Sequence, residues 1–242
     1  HVTVDNGTKT VHGSAAGIRR SWSAAEIIVA AGRAPNSEGL GLDEPGIEHG
    51  PRGIRVEGRL RTSVRSIYAT GDVAGRFAFT HSAGYESAQA IRDMFFPGSC
   101  KLTQLVPWCT FTDPELANVG LTSEEARERF GEGDVETHTA DLADSDRARA
   151  EGATEGSISI VTQKGRIVGA HVLSPTAGET IHELALAVNE KMQLQDLAKL
   201  IHVYPTISTS INLLAADVAY ESATRWSWLI RRVNGSRELA SS

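Results

Sequence analysis

What this chain lacks narrows it before any motif is read. No window approaches eighteen consecutive apolar residues, so no stretch is built to cross a bilayer as a helix. Positive charge is not in excess. The 24 Lys and Arg stand against 30 Asp and Glu, and the formal net charge of −6 argues against nucleic acid or an anionic membrane as partner. Aromatic residues make up only 6% of the sequence. There are 2 cysteines, Cys100 and Cys109, too far apart for a CxxC redox pair or a zinc knuckle. They read as small, buried or half-buried thiols, and a reducing, cytoplasmic compartment is the expectation. The histidines match no HExxH-type metal spacing. Finally, the opening HVTVDNGTKT has neither a basic nor an apolar leader segment. With a strand and turn already under way there, the chain is expected to come from the interior of a longer protein.

The rest is ordinary for a globular protein, with 40% apolar and 22% charged residues over 242 positions. The first residues read as a hairpin whose Asn6-Gly7 supplies positive φ. EIIVAAG, from Glu26 to Gly32, is nearly continuous in apolar residues, which predicts a buried strand of the parallel-sheet kind stopped by GRAPN. SIYATGDV, Ser66 to Val73, predicts a second apolar strand ending in Gly71-Asp72. A helix is expected from about Ser82 until Pro97-Gly98 stops it.

From about Leu105 short strands alternate with capped helices. A helix is predicted over Ser123–Phe130, with strands near Val135, over Ser157–Thr162 and over Ile167–Leu173. Thr122-Ser123-Glu124-Glu125 and Thr176-Ala177-Gly178-Glu179 both fit the capping-box pattern. The second opens a helix with Ile181, Leu184, Ala185 and Val188 on one face. The fold class that follows is α+β, an antiparallel sheet with flanking helices.

Two short motifs bear on chemistry. A strand ending in Gly71-Asp72 offers a backbone that a ligand can approach closely and a carboxylate that accepts from hydroxyls. Thr80-His81-Ser82-Ala83 enters a helix, where free N–H groups can face an electron-rich ligand edge. Each alone also fits an ordinary turn or N-cap.

In order, the chain contains AAGRAPN, SIYATGDV, FTHSAGYESAQA, VPWCTFTDPELANVGLTSEEA, GAHVLSPTAGETIHELALA and IHVYPT. This series resembles the carboxyl-terminal half of the FAD-dependent pyridine nucleotide-disulfide oxidoreductases, the mercuric reductase and dihydrolipoamide dehydrogenase type. The resemblance runs from about Glu26 to Ala215. It implies that residues 1–36 end an NAD(P)-binding domain, 37–104 return through an FAD-binding domain (both remnants of α/β domains), and 105–242 form a homodimerisation domain. It also implies FAD and NAD(P)H as cofactors, a small-molecule electron acceptor and a role in cell redox homeostasis. Gly32, Arg33, Gly71, Asp72, Thr80, His81 and Ala83 are the residues implied to lie along FAD, with Asp72 on its ribityl-pyrophosphate part. Glu179 and its helix are implied to support the subunit interface.

The family's two GxGxxG loops and its CxxxxC redox disulfide do not occur in these residues. The expectation is therefore a portion without turnover of its own that binds no cofactor by itself, from a parent enzyme that moves electrons. A non-catalytic homodimerisation module is the alternative for the chain. A hydrolase using Ser208 or Ser210 lacks a G-x-S-x-G elbow.

In the family's disulfide reductases the last loop reads His-Pro-Thr with a Glu a few residues on, and that imidazole is the acid/base for thiol exchange. Here Tyr204 stands at the His position and Thr209 at the Glu position. A phenol titrating near 10 does not do the work of an imidazole near neutral pH. Tyr204 is the one candidate catalytic residue on this loop, better suited to a wall or hydrogen-bond donor beside a flavin. His202, two residues earlier, is read as a surface or helix-capping residue. Tyr-Pro-Thr also occurs in mercuric reductases and in the soluble pyridine nucleotide transhydrogenases. The vicinal carboxyl-terminal cysteines of the former are missing here, which leaves transhydrogenase-type hydride transfer as the alternative for the parent. The tail around Trp226 and Trp228 is read as a terminal helix on its own domain rather than as a membrane anchor.

Overall fold

The computed structural model describes residues 1–225, and the reading of Trp226 and Trp228 lies outside them. The chain divides into two compact units, residues 1–100 and residues from 101 onward.

The first unit opens with a three-stranded antiparallel sheet, β1 (Val2–Asp5), β2 (Thr8–Ala15) and β3 (Ile18–Ala24). Asn6 at φ 46° and Gly7 at φ 81° turn β1 into β2, as their sequence predicts. A two-residue ladder of β4 (His49–Gly50) and β5 (Gly53–Ile54) follows. The helix α1 runs Thr80–Phe95, beginning two residues before the expected start. A small core of Leu42, Ile47, Ile54, Ala69 and Ala74 lies between these elements.

Neither apolar segment of this unit forms its predicted strand. Glu26–Ala31 is coil, with Ile28 92% exposed. Ser66–Thr70 makes only a bridge from Tyr68 to Arg61, and Gly71–Ala74 forms a single 3-10 turn. The reason is physical. A parallel strand has no local hydrogen-bond partner, and no described residues supply the neighbouring strands.

The second unit is a five-stranded antiparallel sheet in the order β6-β7-β10-β9-β8. Its strands are β6 (Trp108–Thr110), β7 (Glu115–Gly120), β8 (Val135–Asp141), β9 (Ser157–Gln163) and β10 (Arg166–Ser174). The helices are α2 (Ser123–Phe130), α3 (Asp146–Glu151), α4 (Ala177–Asn189), α5 (Leu194–Leu197) and α6 (Thr209–Arg225). The α+β class is therefore as the sequence led us to expect. Side chains alternate along β9 and β10, so that Ile158, Ile160, Ala170 and Val172 share one buried face. Against it pack Ile181, Leu184, Ala187 and Val188 of α4 and Ile211 and Ala215 of α6.

Local capping decides where two of these helices start. At α2 the Thr122 hydroxyl accepts from the Glu125 N–H and the Glu125 carboxylate accepts from the Thr122 N–H, the predicted capping box. At α4 the predicted box is absent, and Thr176 makes no side-chain cap. The Gly178 N–H is taken instead by Glu115 Oε2 at 2.9 Å, a residue on β7. This carboxylate from a neighbouring strand brings negative charge to the helix's positive end.

Candidate functional site

Two groups of functional residues emerge, one in each unit. In the first, Gly71 is buried at φ +70°, and a Cβ there would lie 2.7 Å from the Ala83 Cβ. The turn at Gly71-Asp72 and the first turn of α1 are thus packed in contact, which only glycine permits. Glu86, on α1 and buried, holds the same turn: its Oε2 accepts from the Gly71 N–H at 2.8 Å and its Oε1 from Arg76 Nε at 2.9 Å. Reading the sequence alone misses Glu86, whose signal is an acidic residue on the buried face of the helix.

Asp72 itself is exposed. It lines a cleft of about 240 Å³ together with Arg33, Arg52 and Arg76. Arg76 is paired with Glu86, so Arg33 and Arg52 against Asp72 leave this cleft a local positive charge on a protein of net negative charge. Gly32 precedes it at φ +136°, with open space where a Cβ would lie. Thr80, His81 and Ala83 form the first turn of α1, and the His81 ring stacks on Phe79 at 5.2 Å. The N-cap residue is Phe79, which offers no side-chain acceptor, and no acidic residue occurs in the first turn. An uncapped helix start beside a positive cleft suits an anionic, hydroxyl-bearing ligand.

In the second unit lies the loop from Leu200 to Thr209. Tyr204 is 67% exposed, its peptide bond to Pro205 is cis, and its hydroxyl donates to Asp146 Oδ2 at 2.8 Å. The hydrogen bond to Asp146, together with that carboxylate's charge, pushes the Tyr204 phenol above its ordinary value. Tyr204 is held neutral and donating. Thr209 reaches no imidazole. Its hydroxyl lies 3.2 Å from the Val203 carbonyl and 3.1 Å from the Thr206 hydroxyl. Glu179 lines a separate cleft of about 300 Å³ with Arg147, Glu151 and Ser208.

The reading of His202 as a surface residue does not hold. Its side chain is only 6% exposed, and its Nε2 lies 3.0 and 3.1 Å from the two carboxylate oxygens of Glu183 on α4. Nothing in the local sequence announces the pair, because its partners come from a helix and a loop distant along the chain.

Burial raises both thiols, Cys100 and Cys109, above the ordinary cysteine value, so both are protonated at neutral pH. Among the described residues, no cluster of three or more His, Cys, Asp and Glu could hold a metal ion, and no helix is long and apolar enough to cross a membrane.

Comparison with known proteins bears on both groups. Residues 106–215 match the sequence profile of the pyridine nucleotide-disulphide oxidoreductase dimerisation domain, and residues 2–90 match the pyridine nucleotide-disulphide oxidoreductase profile. The chain is 36% identical over 214 residues to a dihydrolipoyl dehydrogenase of Geobacillus stearothermophilus, covering 87% of this chain and 45% of that protein. It is 34% identical to leghemoglobin reductase of Glycine max, covering 94% of this chain and 44% of the relative. The chain thus spans about half the length of the curated relatives it matches. Among solved structures, the HOCl-induced flavoprotein disulfide reductase RclA of Escherichia coli, as its Cu(II) complex, superposes with a TM-score of 0.80 at 26% identity. That match covers 90% of this chain and 49% of RclA. LpdA of Mycobacterium tuberculosis gives 0.79 at 26% identity, covering 90% and 47%.

Proposed function

This chain belongs to the pyridine nucleotide-disulphide oxidoreductase family, and we propose that it is the carboxyl-terminal part of an FAD-dependent enzyme whose loop at Tyr204 brings no acid/base pair for thiol exchange. The parent oxidises NAD(P)H and delivers the electrons to a small-molecule acceptor. The observation that carries this reading is the Tyr204 phenol committed to Asp146 while Thr209 caps its own loop. Neither side chain takes and returns a proton near neutral pH. Tyr204 groups the parent with the mercuric-reductase-like and transhydrogenase-like members of the family. A loop without a thiol base favours hydride traffic of the transhydrogenase kind, which needs none.

FAD, when bound, supplies two-electron transfer between pyridine nucleotide and acceptor. The residues present fit it: Arg33 and Asp72 line a positive cleft, Gly71 lets the turn approach α1, and no N-cap side chain satisfies the start of α1. Asp72 would accept hydroxyl hydrogens of the ribityl chain, Gly32 and Arg33 would shape the wall beside it, and Thr80, His81 and Ala83 would offer the helix N–H groups of the first turn of α1 to the flavin ring. Residues 1–36 close a nucleotide-binding domain, 37–104 the flavin domain, and 105–242 the domain through which two subunits join.

A homodimerisation module without chemistry is a second reading for the isolated chain. It is favoured by the apolar residues that α4 and α6 leave exposed, Leu186, Leu213 and Tyr220. In the full-length protein, anaerobic mixing with NADH or NADPH is expected to bleach the flavin absorbance, and Asp72→Ala to lose bound flavin. A full-length protein purified without flavin, and unable to take it up, contradicts the proposal.

A further inference from the structure

We propose that His202 and Glu183 form a positioning pair that fixes where the loop presents Tyr204. The contact itself is independent of the flavin reading. Its catalytic consequence rests on that reading.

His202 is too deeply buried to meet a substrate, with 6% of its side chain exposed, and Glu183 is 22% exposed. The imidazole N–H at Nε2 reaches both carboxylate oxygens, at 3.0 and 3.1 Å. A charge-assisted bond in a shielded position is stronger than a neutral one on the surface. Glu183 is a firm anchor, because the neighbouring Ile181, Leu184 and Ala187 of α4 are embedded in the core of the second unit.

Position along the chain turns this anchor into a device. In an extended segment two residues span roughly 6–7 Å, so fixing His202 fixes the Tyr204 backbone within one step. On the same side of Tyr204, Asn212 of α6 donates to the Leu197 and Leu200 carbonyls at 3.2 and 3.0 Å. The hydroxyls of Thr206 and of Thr209, the first residue of α6, lie 2.8 and 3.2 Å from the Val203 carbonyl. The segment leading into Tyr204 is thereby tied to α4 at His202 and to α6 at Leu200 and Val203. The bond from Tyr204 to Asp146 of α3, by contrast, is exposed and competes with water. The buried pair therefore holds the backbone, and the phenol finds Asp146 because the backbone is already in place.

The test uses the 242-residue chain with isotopically labelled tyrosine and two near-isosteric changes, His202→Gln and Glu183→Gln. In each, the Tyr204 phenol titration is expected to fall toward its ordinary value as the bond to Asp146 loosens. Amide exchange at Val203, Tyr204 and Thr206 is expected to rise about tenfold, while β9 and β10 keep their protection. The double variant should go no further than either single one, because both remove the same contact. An unmoved Tyr204 titration, or effects that add in the double variant, overturns the inference. Should His202→Gln fail to fold, Glu183→Gln alone decides by the same two readouts. In the full-length protein the same variants should lower kcat with little change in KM for NAD(P)H. A wild type without turnover counts against the proposed function and leaves the tyrosine signal, which needs no flavin, to decide the positioning role.

Discussion

Tyr204 donates its phenolic hydrogen to Asp146 Oδ2 at 2.8 Å, and that bond decides what the side chain can do. A phenolate at this place would face a carboxylate, so the proton is held more tightly than in a free tyrosine. Asp146→Asn removes the charge while keeping an oxygen that can accept. The Tyr204 titration should then drop toward the ordinary value near 10. The sign for stability follows. A raised phenol contributes stability that is present below the unfolded value and is lost as pH rises through the folded one. Alkaline unfolding of the wild type should therefore carry a component that Asp146→Asn lacks, measurable by circular dichroism against pH.

Gly71 meets α1 at a distance no side chain tolerates. Gly71→Ala forces a Cβ to within 2.7 Å of the Ala83 Cβ and places an L-residue at φ +70°. The expected cost is about 1–3 kcal/mol of stability in the first unit. In the full-length protein the substitution should also weaken flavin binding, because the turn it distorts carries Asp72. Thermal unfolding and flavin titration read the two effects separately.

Asp93 gathers the other end of α1. Its carboxylate is buried and accepts from Arg61 Nε and Nη2 at 2.9 and 2.7 Å, from the Tyr68 hydroxyl at 3.0 Å and from the Gly98 N–H at 3.3 Å. Burial alone would raise this carboxyl, but the bonds from Arg61, Tyr68 and Gly98 outweigh it and hold the group below its ordinary value. Such a group contributes stability above the unfolded value, and the contribution disappears as pH falls through the folded one. The first unit should therefore lose stability in acid below about pH 4, and Asp93→Asn should be less stable at neutral pH but less sensitive to acid. Denaturant melts at a series of pH values give both slopes.

Leu213 and Tyr220 lie exposed on α6, in a segment that begins inside the residues matching the dimerisation profile. Leu213→Glu should convert a dimer to a monomer in light scattering without lowering helix content, since the side chain is 57% exposed in one subunit. A wild-type monomer counts against both the interface and the proposed domain role.

The second unit was largely legible in the sequence because its signals are local. The α2 capping box is set by residues three apart, and alternation along β9 and β10 reports the sheet directly. The first unit was less so. EIIVAAG carries the pattern of a buried strand, yet pattern does not make a strand without neighbours to pair with. β3 escaped notice because IRRSWSA is polar and exposed throughout. Thr176 has the spacing of a capping box but makes no cap, and Glu115 instead accepts from the neighbouring Gly178 amide, where only the sheet's topology brings it. The same limit hid His202. Its partner Glu183 comes from another element, so the histidine that looked like a surface residue is the buried one, while Tyr204 at the family's functional position is exposed.

The central claim is that this loop keeps its place but brings no acid/base for thiol exchange. The most direct measurement is turnover of the full-length protein with NAD(P)H and either of two acceptors, a cyclic disulfide such as lipoamide or an oxidised pyridine nucleotide analogue. General acid–base catalysis is worth about 10²–10⁴-fold. The account predicts that kcat/KM for the disulfide falls short of that for the nucleotide by at least a hundredfold, on the order of that contribution. Equal efficiency with the disulfide, with a pH profile breaking near neutrality, would contradict it.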